Sequence, residues 1–374
     1  MIVIVTQCFP PRIGGIESVM SSLADAMFCD DEDIMVIADS KGDLKKERDF
    51  DQTQSYVIKR CGGLKLLRNM KKRRLLGELA KDHTIKAVIT DSWKSLEAVS
   101  KTIIRNELSV FCFAHGNDVL PCPGSPKKEM RIRQALSHAS KIIAVSKSTG
   151  KLVEYYIPAK EKCIVIYNIV PQPKGFNYSD AGTKEVMDAK GEPTLLTLGR
   201  IEPRKGHDHV IRSLPALRKV FPRIKYWIAG SGADRSRLEK MVEDLNVSSQ
   251  VVFWGSVNDA MKNLLLKHAT LMAMPNRHEG KARSIEGYGL VYIEAAYHRL
   301  PVVAGRSGGA VEAVSDGETG VLCNGNDSKE VESAIMDCLQ HVDQMSAYAE
   351  RGYSRAVERH DPSHVISLYK ALWE

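Results

Sequence analysis

Long apolar runs and paired cysteines are both missing from this chain of 374 residues. No stretch approaches the roughly 18 uninterrupted apolar residues that a membrane-spanning helix needs. The N-terminal residues lack the basic and apolar regions of a secretion signal, so the sequence predicts a cytoplasmic protein. The eight cysteines are scattered, and no two of them have C-x-x-C spacing. Neither a zinc site nor a disulfide framework is therefore expected.

Hydrophobic residues make up 43% of the chain and charged residues 26%, which indicates a globular protein of two domains. The net charge of +7 comes from the first half, because residues 1–172 contain 27 Lys and Arg against 20 Asp and Glu. This asymmetry predicts an anionic partner for the first half, either membrane lipid or nucleic acid. Few aromatic residues stand among the cations, so a nucleic-acid surface is disfavoured.

Short runs rich in Val and Ile alternate with amphipathic stretches in two series, which predicts an α/β protein with two doubly wound parallel sheets. The predicted strands of the first series are Ile2–Thr6, Ile34–Ala38, Ala87–Thr90, Val110–His115 and Ile142–Val145. The predicted strands of the second series are Thr194–Leu198, Ile224–Ala229, Val251–Trp254, Leu271–Met274 and Pro301–Ala304.

A Pro-containing and otherwise polar segment from Pro171 separates the two series, so we expect a domain boundary near residue 172. Residues 173–357 would form the second domain. After Gly320 the pattern is helical only. The last predicted helix begins at Pro362, and residues 358–374 are expected to return to the first domain.

Glycine-rich turns follow predicted strands at the edge where open α/β sheets bind ligands. Gly14 and Gly15 open the first helix without the G-x-G-x-x-G spacing of a dinucleotide site, which disfavours a dehydrogenase. The loop Gly199–Gly206 carries three cations, a combination that suits a diphosphate. In a third turn, Glu286 and Glu294 flank Gly-Tyr-Gly at a predicted helix start, where free amides can hold phosphate oxygens.

Two more segments follow the Gly-Tyr-Gly turn: a strand with a glycine turn at residues 301–312 and a second turn at residues 316–322. These three segments, in this order, resemble those of family 4 of the retaining glycosyltransferases. The family includes bacterial mannosyltransferases of lipid, polysaccharide and lipopolysaccharide synthesis. The resemblance implies the GT-B fold, with two Rossmann-like domains that face each other across a cleft. It also implies transfer of a hexose from a nucleotide diphosphate sugar to a hydroxyl of a membrane-associated acceptor.

The resemblance further implies roles for individual residues. Arg200 and Lys205 would neutralise the donor diphosphate, and Glu286 would hydrogen-bond the transferred sugar. His115 would lie at the reacting centre. The remaining residues that it implies are Gly14, Gly15, Gly289, Leu290 and Val291 beside the phosphates, Glu294 on the ribose, and Asn117 and Asp118 on the acceptor side.

The resemblance favours GDP-mannose as the donor, with a UDP-sugar second. The resemblance also implies that the configuration at the anomeric carbon is retained by front-face attack, with the leaving phosphate as the base. No protein nucleophile or other cofactor is then needed. The acidic triplets Asp31-Glu32-Asp33 and Asp49-Phe50-Asp51 lie in polar stretches far from Lys205 in sequence, so no metal site is expected. An epimerase or a glycosyl phosphorylase of the same fold, and a non-catalytic partner subunit docked on a membrane, remain alternatives.

Two segments depart from the common pattern of the family. The link from Asn276 to Ile285 is long, as in members that act on phosphoinositol or polyprenyl-type acceptors. Tyr297-His298-Arg299 replaces a run of small residues after the second glutamate, and we expect it to change local packing.

The positive charge concentrates between Lys59 and Leu76, where leucines recur at helical spacing beside cations. This pattern predicts a basic amphipathic helix on an anionic membrane surface, with the protein peripheral at the inner face of the cytoplasmic membrane. The alternative is a helix with its leucines in the core and its cations in water. The residues predicted to face the membrane are Lys65, Arg68, Lys71, Lys72, Arg73 and Arg74.

Overall fold

The computed structural model describes residues 1–173, 179–278 and 284–373 of the chain. It divides into two compact units. Unit 1 contains Met1–Pro171 together with the residues from Arg359 onward, and unit 2 is Gln172–Glu358. The chain therefore passes from one unit to the other twice.

Unit 1 is built on a seven-stranded sheet in which every pair of neighbouring strands is parallel. Its strands are β1 (Ile2–Thr6), β2 (Ile34–Asp39), β3 (Val57–Cys61), β4 (Ala87–Thr90), β5 (Val110–Ala114), β6 (Lys141–Ala144) and β7 (Cys163–Val165). Its first six helices are α1 (Gly15–Cys29), α2 (Leu44–Gln52), α3 (Lys65–Asp82), α4 (Trp93–Arg105), α5 (Pro126–Ser137) and α6 (Lys147–Tyr156). The strand order is β3-β2-β1-β4-β5-β6-β7, so the order reverses between β1 and β4.

Unit 2 is built on a six-stranded parallel sheet. Its strands are β8 (Thr194–Leu198), β9 (Lys225–Ala229), β10 (Val251–Gly255), β11 (Leu271–Met274), β12 (Val302–Gly305) and β13 (Val321–Cys323). The helices that follow α6 in the chain are α7 (Asp180–Asp188), α8 (His207–Val220), α9 (Arg235–Asp244), α10 (Asp259–His268), α11 (Leu290–Tyr297), α12 (Ala310–Ala313), α13 (Ser328–Gln340) and α14 (Val342–His360). The order is β10-β9-β8-β11-β12-β13, and it reverses between β8 and β11.

Buried apolar strands covered by helices hold both units together. All five residues of β1 are buried, and so are those of β5 and β8. Strands of this kind occur in parallel sheets that helices cover on both faces. The predicted α/β architecture with two doubly wound parallel sheets is therefore confirmed.

The sequence missed three strands, all of them near or at a sheet edge. β3 and β13 are the outer strands of their sheets, and β7 is the outer strand at the other side of unit 1. β7 and β13 have three residues each, too few to show a pattern. The expectation of helices only after Gly320 was wrong, because Val321 pairs with Val303 of β12.

The last helix in the described part of the chain, α15 (Pro362–Trp373), belongs to unit 1 and contacts α1. None of the helices in the described part of the chain is long and apolar enough to cross a membrane.

One face of α3 corrects a prediction about the basic segment. Lys72 is completely buried, and its Nζ lies 2.5 Å from Asp39 Oδ1 and donates a hydrogen bond to the carbonyl of Thr6 at 2.9 Å. Arg68 also turns inward, with Nε 3.0 Å from Asp39 Oδ2. The expectation that Lys72 and Arg68 face a membrane was therefore wrong. A carboxylate at the end of β2 needs cationic partners, and α3 supplies them.

The other four cations that were predicted to face the membrane differ from one another in exposure. Arg73 Nε donates to the carbonyl of Ala98 at 2.6 Å, so its head group is directed to α4. Lys65, Lys71 and Arg74 are exposed.

The ion pair of Lys72 and Asp39 predicts a large effect on stability. Burial alone would raise the pKa of Asp39, but the charges of Lys72 and Lys41 outweigh burial and lower it. Lys72→Met should therefore leave a buried carboxylate short of one partner and cost about 3 kcal/mol in the free energy of unfolding. Urea unfolding measures this change. Arg74→Met is the control, because Arg74 pairs with Glu78 at the surface, and it should leave the unfolding midpoint unchanged. Equal midpoints for the two variants would contradict the assignment.

Candidate functional site

The carboxyl edge of the unit 2 sheet brings three loops together where the strand order reverses. The backbone N–H of Arg277, after β11, donates to the carbonyl of Arg204, in the loop after β8, at 2.8 Å. The N–H of Gly309, after β12, donates to the carbonyl of Glu286 at 2.8 Å. This is the position at which open α/β sheets bind ligands.

Glu286 lies at the centre of these loops and shares one oxygen with two cations. Its Oε2 accepts hydrogen bonds from Lys205 Nζ at 2.7 Å and from Arg204 Nη1 at 2.9 Å. Burial alone would raise the pKa of Glu286, but the charges of Lys205 and Arg204 lower it below its ordinary value. The carboxylate is therefore ionised, and its Oε1 has no protein partner among the described residues.

The two arginines of the loop after β8 occupy different environments. Arg200 is exposed over 70% of its side chain and pairs with Glu202 at 2.7 Å. Arg204 is buried and contacts both Glu202 and Glu286. The 3₁₀ turn of Pro203–Lys205 directs Arg204 and Lys205 inward. The sequence named Arg200 as a site residue and missed Arg204, although both belong to the three cations of this loop.

The N-terminus of α11 offers free amides next to these cations. Gly289 precedes the helix with φ of +95°, a conformation that favours glycine. The amides of Leu290 and Val291 donate to no protein acceptor in the described ranges. Tyr292 anchors the first turn, because its hydroxyl donates to Asn276 Oδ1 at 2.7 Å. Two amides and two cations on one edge can hold an anion such as a phosphate.

Glu294, further along α11, is paired with a lysine that the sequence did not indicate. Its Oε1 accepts from Lys262 Nζ of α10 at 2.7 Å, and Lys262 also lies 3.0 Å from Asp259. Burial would lower the pKa of Lys262, but the two carboxylates outweigh burial and raise it. Only the fold brings α10 to α11, so no local spacing could have indicated this pair.

A second ion pair fixes the segment that follows β11. Arg277 donates to both oxygens of Asp208, at 2.8 and 3.0 Å. His207, the first residue of α8, is buried beside them, and burial and the charge of Lys205 lower its pKa to about 4. The imidazole is therefore neutral at pH 7. Residues 279–283 of the long link lie outside the described residues.

The segment Tyr297-His298-Arg299, which departs from the common pattern of the family, packs against neighbouring helices. His298 Nε2 lies 2.7 Å from Asn263 Oδ1 on α10, and Arg299 Nε donates to Glu350 of α14 at 2.6 Å. Neither contact involves Glu286 or Glu294.

In unit 1, the predicted site residues lie at the carboxyl ends of β1 and β5. The N–H of His115 donates to Asp118 Oδ1 at 2.8 Å, and its Nε2 is buried without a protein partner in the part of the chain that is described. Burial raises the pKa of Asp118. Asn117 is exposed between them.

Gly14 and Gly15 open α1 as predicted, but a carboxylate already lies there. The side chain of Glu17 is close to Gly14, and its Oε1 lies 3.3 Å from Arg12 Nη2. A phosphate beside Gly14 would require Glu17 to move.

Two family models match the chain, one in each half. The model described as Glycosyltransferase Family 4 matches residues 13–172. The model described as Glycosyl transferases group 1 matches residues 183–355.

Curated relatives resemble the chain over nearly its whole length. The GDP-mannose-dependent alpha-(1-6)-phosphatidylinositol monomannoside mannosyltransferase of Mycolicibacterium smegmatis is 28% identical over 95% of this chain and 93% of that protein. The GDP-mannose-dependent monoacylated alpha-(1-6)-phosphatidylinositol monomannoside mannosyltransferase of Corynebacterium glutamicum is 26% identical, and the match covers 93% of this chain and 91% of that protein.

Solved structures resemble it in fold. HepE of Anabaena in complex with UDP superposes with a TM-score of 0.79 at 19% identity, and the match covers 99% of each chain. Sucrose-phosphate synthase of Thermosynechococcus elongatus gives a TM-score of 0.80 at 18% identity, covering 100% of this chain and 99% of that one.

The pair of Lys262 and Glu294 generates a test of ribose recognition. If Glu294 binds the ribose hydroxyls, the unmodified protein should bind GDP about tenfold more tightly than 2′-deoxy-GDP, because a charged hydrogen bond is lost. Lys262→Met should remove most of this preference, since the carboxylate loses the ammonium that orients it. Calorimetric titration measures both affinities. Lys219→Met, on the exposed part of α8, is the control and should keep the preference. A preference unchanged in Lys262→Met would refute the assignment.

Proposed function

This chain belongs to family 4 of the glycosyltransferases and has the GT-B fold, and we propose that it transfers mannose from GDP-mannose to a hydroxyl of a membrane glycolipid. It is an enzyme that takes its sugar from a nucleotide sugar. GDP-mannose is the proposed donor because the curated relatives from Mycolicibacterium and Corynebacterium depend on it, and a UDP-sugar is second. Their phosphatidylinositol mannoside acceptors support a glycolipid as the acceptor class.

The observation that carries this proposal is the Glu286 carboxylate held by Lys205 and Arg204 at the N-terminus of α11. The bond that breaks joins the anomeric carbon to the diphosphate, and negative charge grows on the leaving oxygen. Lys205 and the amides of Leu290 and Val291 would meet that charge. Fixed groups of this kind typically contribute about 10²- to 10³-fold in rate each.

Glu286 would act on the sugar side of the same bond. Its Oε2 is engaged by two cations, so Oε1 is left to accept a hydrogen bond from a sugar hydroxyl. Glu294 and Lys262 would hold the ribose. Arg200, whose side chain is exposed, would reach the diphosphate from solvent.

The remaining proposed roles belong to unit 1. His115 would contact the transferred sugar near the anomeric carbon, and its unpartnered Nε2 suits that role. Gly14 and Gly15 would border the donor phosphate once Glu17 has moved. Asn117 would contact the acceptor.

Retention and metal independence are part of the proposal. The acceptor hydroxyl would attack the face that the diphosphate leaves, and the departing phosphate oxygen would take its proton. The new bond joins the acceptor oxygen to the anomeric carbon, and GDP leaves with the proton. Lys205, Arg204 and the α11 amides supply the positive charge that a divalent cation supplies in other glycosyltransferases.

Glu286→Gln tests the proposed site. The amide has no negative charge to balance Lys205 and Arg204, so we expect kcat for transfer to fall about 10²- to 10³-fold. The assay follows GDP release and labelled glycolipid from GDP-mannose and a phosphatidylinositol mannoside. UDP-glucose serves as the competing donor.

Glu239→Gln is the matched control, because the side chain of Glu239 is 43% exposed on α9 and pairs with Arg235. It should retain full activity. Transfer by Glu286→Gln at the unmodified rate would remove the proposed role, and turnover of UDP-glucose in preference to GDP-mannose would remove the proposed donor.

We also propose that unit 1 docks on an anionic membrane surface through the outer face of α3. This face is defined by Leu66, Leu67, Met70, Lys71 and Arg74. The three apolar side chains are 70%, 48% and 54% exposed, on the side of the helix opposite the buried Lys72 and Leu76. Exposed apolar residues flanked by cations fit a bilayer interface with anionic lipid. The enzyme would then meet its glycolipid acceptor in that bilayer.

Vesicle binding tests the outer face of α3. The unmodified protein should bind vesicles of phosphatidylcholine with about 30% phosphatidylglycerol, and added salt should weaken binding because charge attracts it to the lipid. Leu66→Glu with Met70→Glu should abolish flotation with these vesicles. Ile104→Glu is the control, because Ile104 is 55% exposed on α4. Equal loss in the control, or retention in the double variant, would exclude the outer face of α3 as the docking surface.

A further inference from the structure

The side chains of β5 divide between the two faces of the unit 1 sheet. Val110, Cys112 and Ala114 belong to the core cluster on one face. Because side chains alternate along a strand, Phe111 and Phe113 point to the other face. His115 follows β5 directly, and its ring stacks on that of Phe113 with centroids 5.7 Å apart and planes at 17°. The proposed catalytic imidazole therefore continues a row of aromatic rings.

Helix α15 covers the same row. Tyr369 stacks on Phe113 with centroids 6.1 Å apart and planes at 26°. One turn later, Trp373 stacks on Tyr369 at 6.1 Å and meets the edge of Phe111 at 5.6 Å. These distances are those of attractive aromatic pairs. Phe113 is thus held between His115 and Tyr369, and both Phe113 and Tyr369 are 1% exposed.

Among the described residues, the hydrogen bond of His115 to a side chain is made by its main chain and not by its ring. Asp118 Oδ1 accepts from the main-chain N–H of His115, which places the backbone and does not itself hold the ring. Nε2 has no protein partner in the described part of unit 1. Catalytic imidazoles are commonly oriented by a hydrogen bond at the ring. The ring contact that the structure gives His115 is the flat one with Phe113.

We propose that Tyr369 of α15 is a positioning residue for His115 and acts through Phe113. The inference rests on the proposed role of His115. The ring of Tyr369 holds Phe113 parallel to the imidazole, and Phe113 restricts the angles that the imidazole can adopt. Burial raises the pKa of the Tyr369 hydroxyl, and the contact with Phe113 is made by the ring. The aromatic ring alone carries the effect.

Three variants of α15 test the proposal. Tyr369→Leu removes the ring and keeps a smaller apolar side chain, so kcat for transfer should fall about tenfold because the imidazole is misplaced. Tyr369→Phe keeps the stack and should stay within about twofold of the unmodified rate. Ile366→Ala is the control for destabilisation, because Ile366 is 2% exposed on the same helix and outside the row. GDP affinity should be the same in all three.

A measurement independent of transfer accompanies the kinetics. Stacking on Phe113 displaces the ring-proton resonances of His115 in protein labelled at histidine. Tyr369→Leu should shift these resonances, whereas Tyr369→Phe and Ile366→Ala should not. Unmoved resonances in Tyr369→Leu, or a kcat equal to that of Ile366→Ala, would overturn the inference.

A double-variant cycle separates this inference from the proposed function. On a His115→Ala background, Tyr369→Leu should cause no further loss of kcat, because both changes act through the same imidazole. Additive losses would overturn the inference. Shifted resonances in a protein that turns over no sugar nucleotide would instead refute the proposed function and leave the contact between Tyr369, Phe113 and His115 established.

Discussion

The contact of Glu286 with Lys205 and Arg204 is the interaction on which the candidate site of unit 2 depends. Three charges taken out of water cost several kcal/mol each unless all of them are matched. The loops after β8, β11 and β12 must therefore hold the three side chains together, and the main-chain bonds between these loops do so. A site assembled in this way keeps its cations in place before any ligand arrives. With Arg200 and Glu202 included, the loops carry three cations against two carboxylates, and this surplus of one positive charge favours an anion.

Unit 1 also contains a buried carboxylate surrounded by cations, but there the cluster has a structural role. Asp39 at the end of β2 is the buried carboxylate, and Lys41, Arg68 and Lys72 surround it. Here the cations bind α3 to the sheet, because the Lys72 ammonium also reaches the carbonyl of Thr6 at the end of β1. With its inner face fixed by charge, α3 can present leucine and methionine to the outside without turning them into the core.

The sequence predicted those features that neighbouring residues determine. Buried strands such as β1 and β8 are continuous apolar runs, and the spacing of Glu286, Gly289 and Glu294 marks a helix start between two carboxylates. Prediction from the sequence failed where contacts between residues far apart in the chain determine the structure. Arg200 and Arg204 are equivalent as loop cations, and only the 3₁₀ turn after Pro203 separates the buried one from the exposed one. The sequence predicts Lys72 at the surface because its partner Asp39 is 33 residues earlier, and it gives no signal for Lys262 because Glu294 is 32 residues later. Short outer strands such as β13 were missed because three residues carry no periodicity.

Helix α15 lies in the last part of the described chain. The aromatic face that it covers belongs to β5, which is synthesised much earlier. During synthesis, Phe111 and Phe113 leave the ribosome more than 200 residues before Tyr369. At about 5–20 residues per second, the nascent first unit would carry an uncovered hydrophobic face for roughly 10 to 50 seconds. Unit 2 has all its strands translated within that interval, so the half of the molecule that is begun first is completed last.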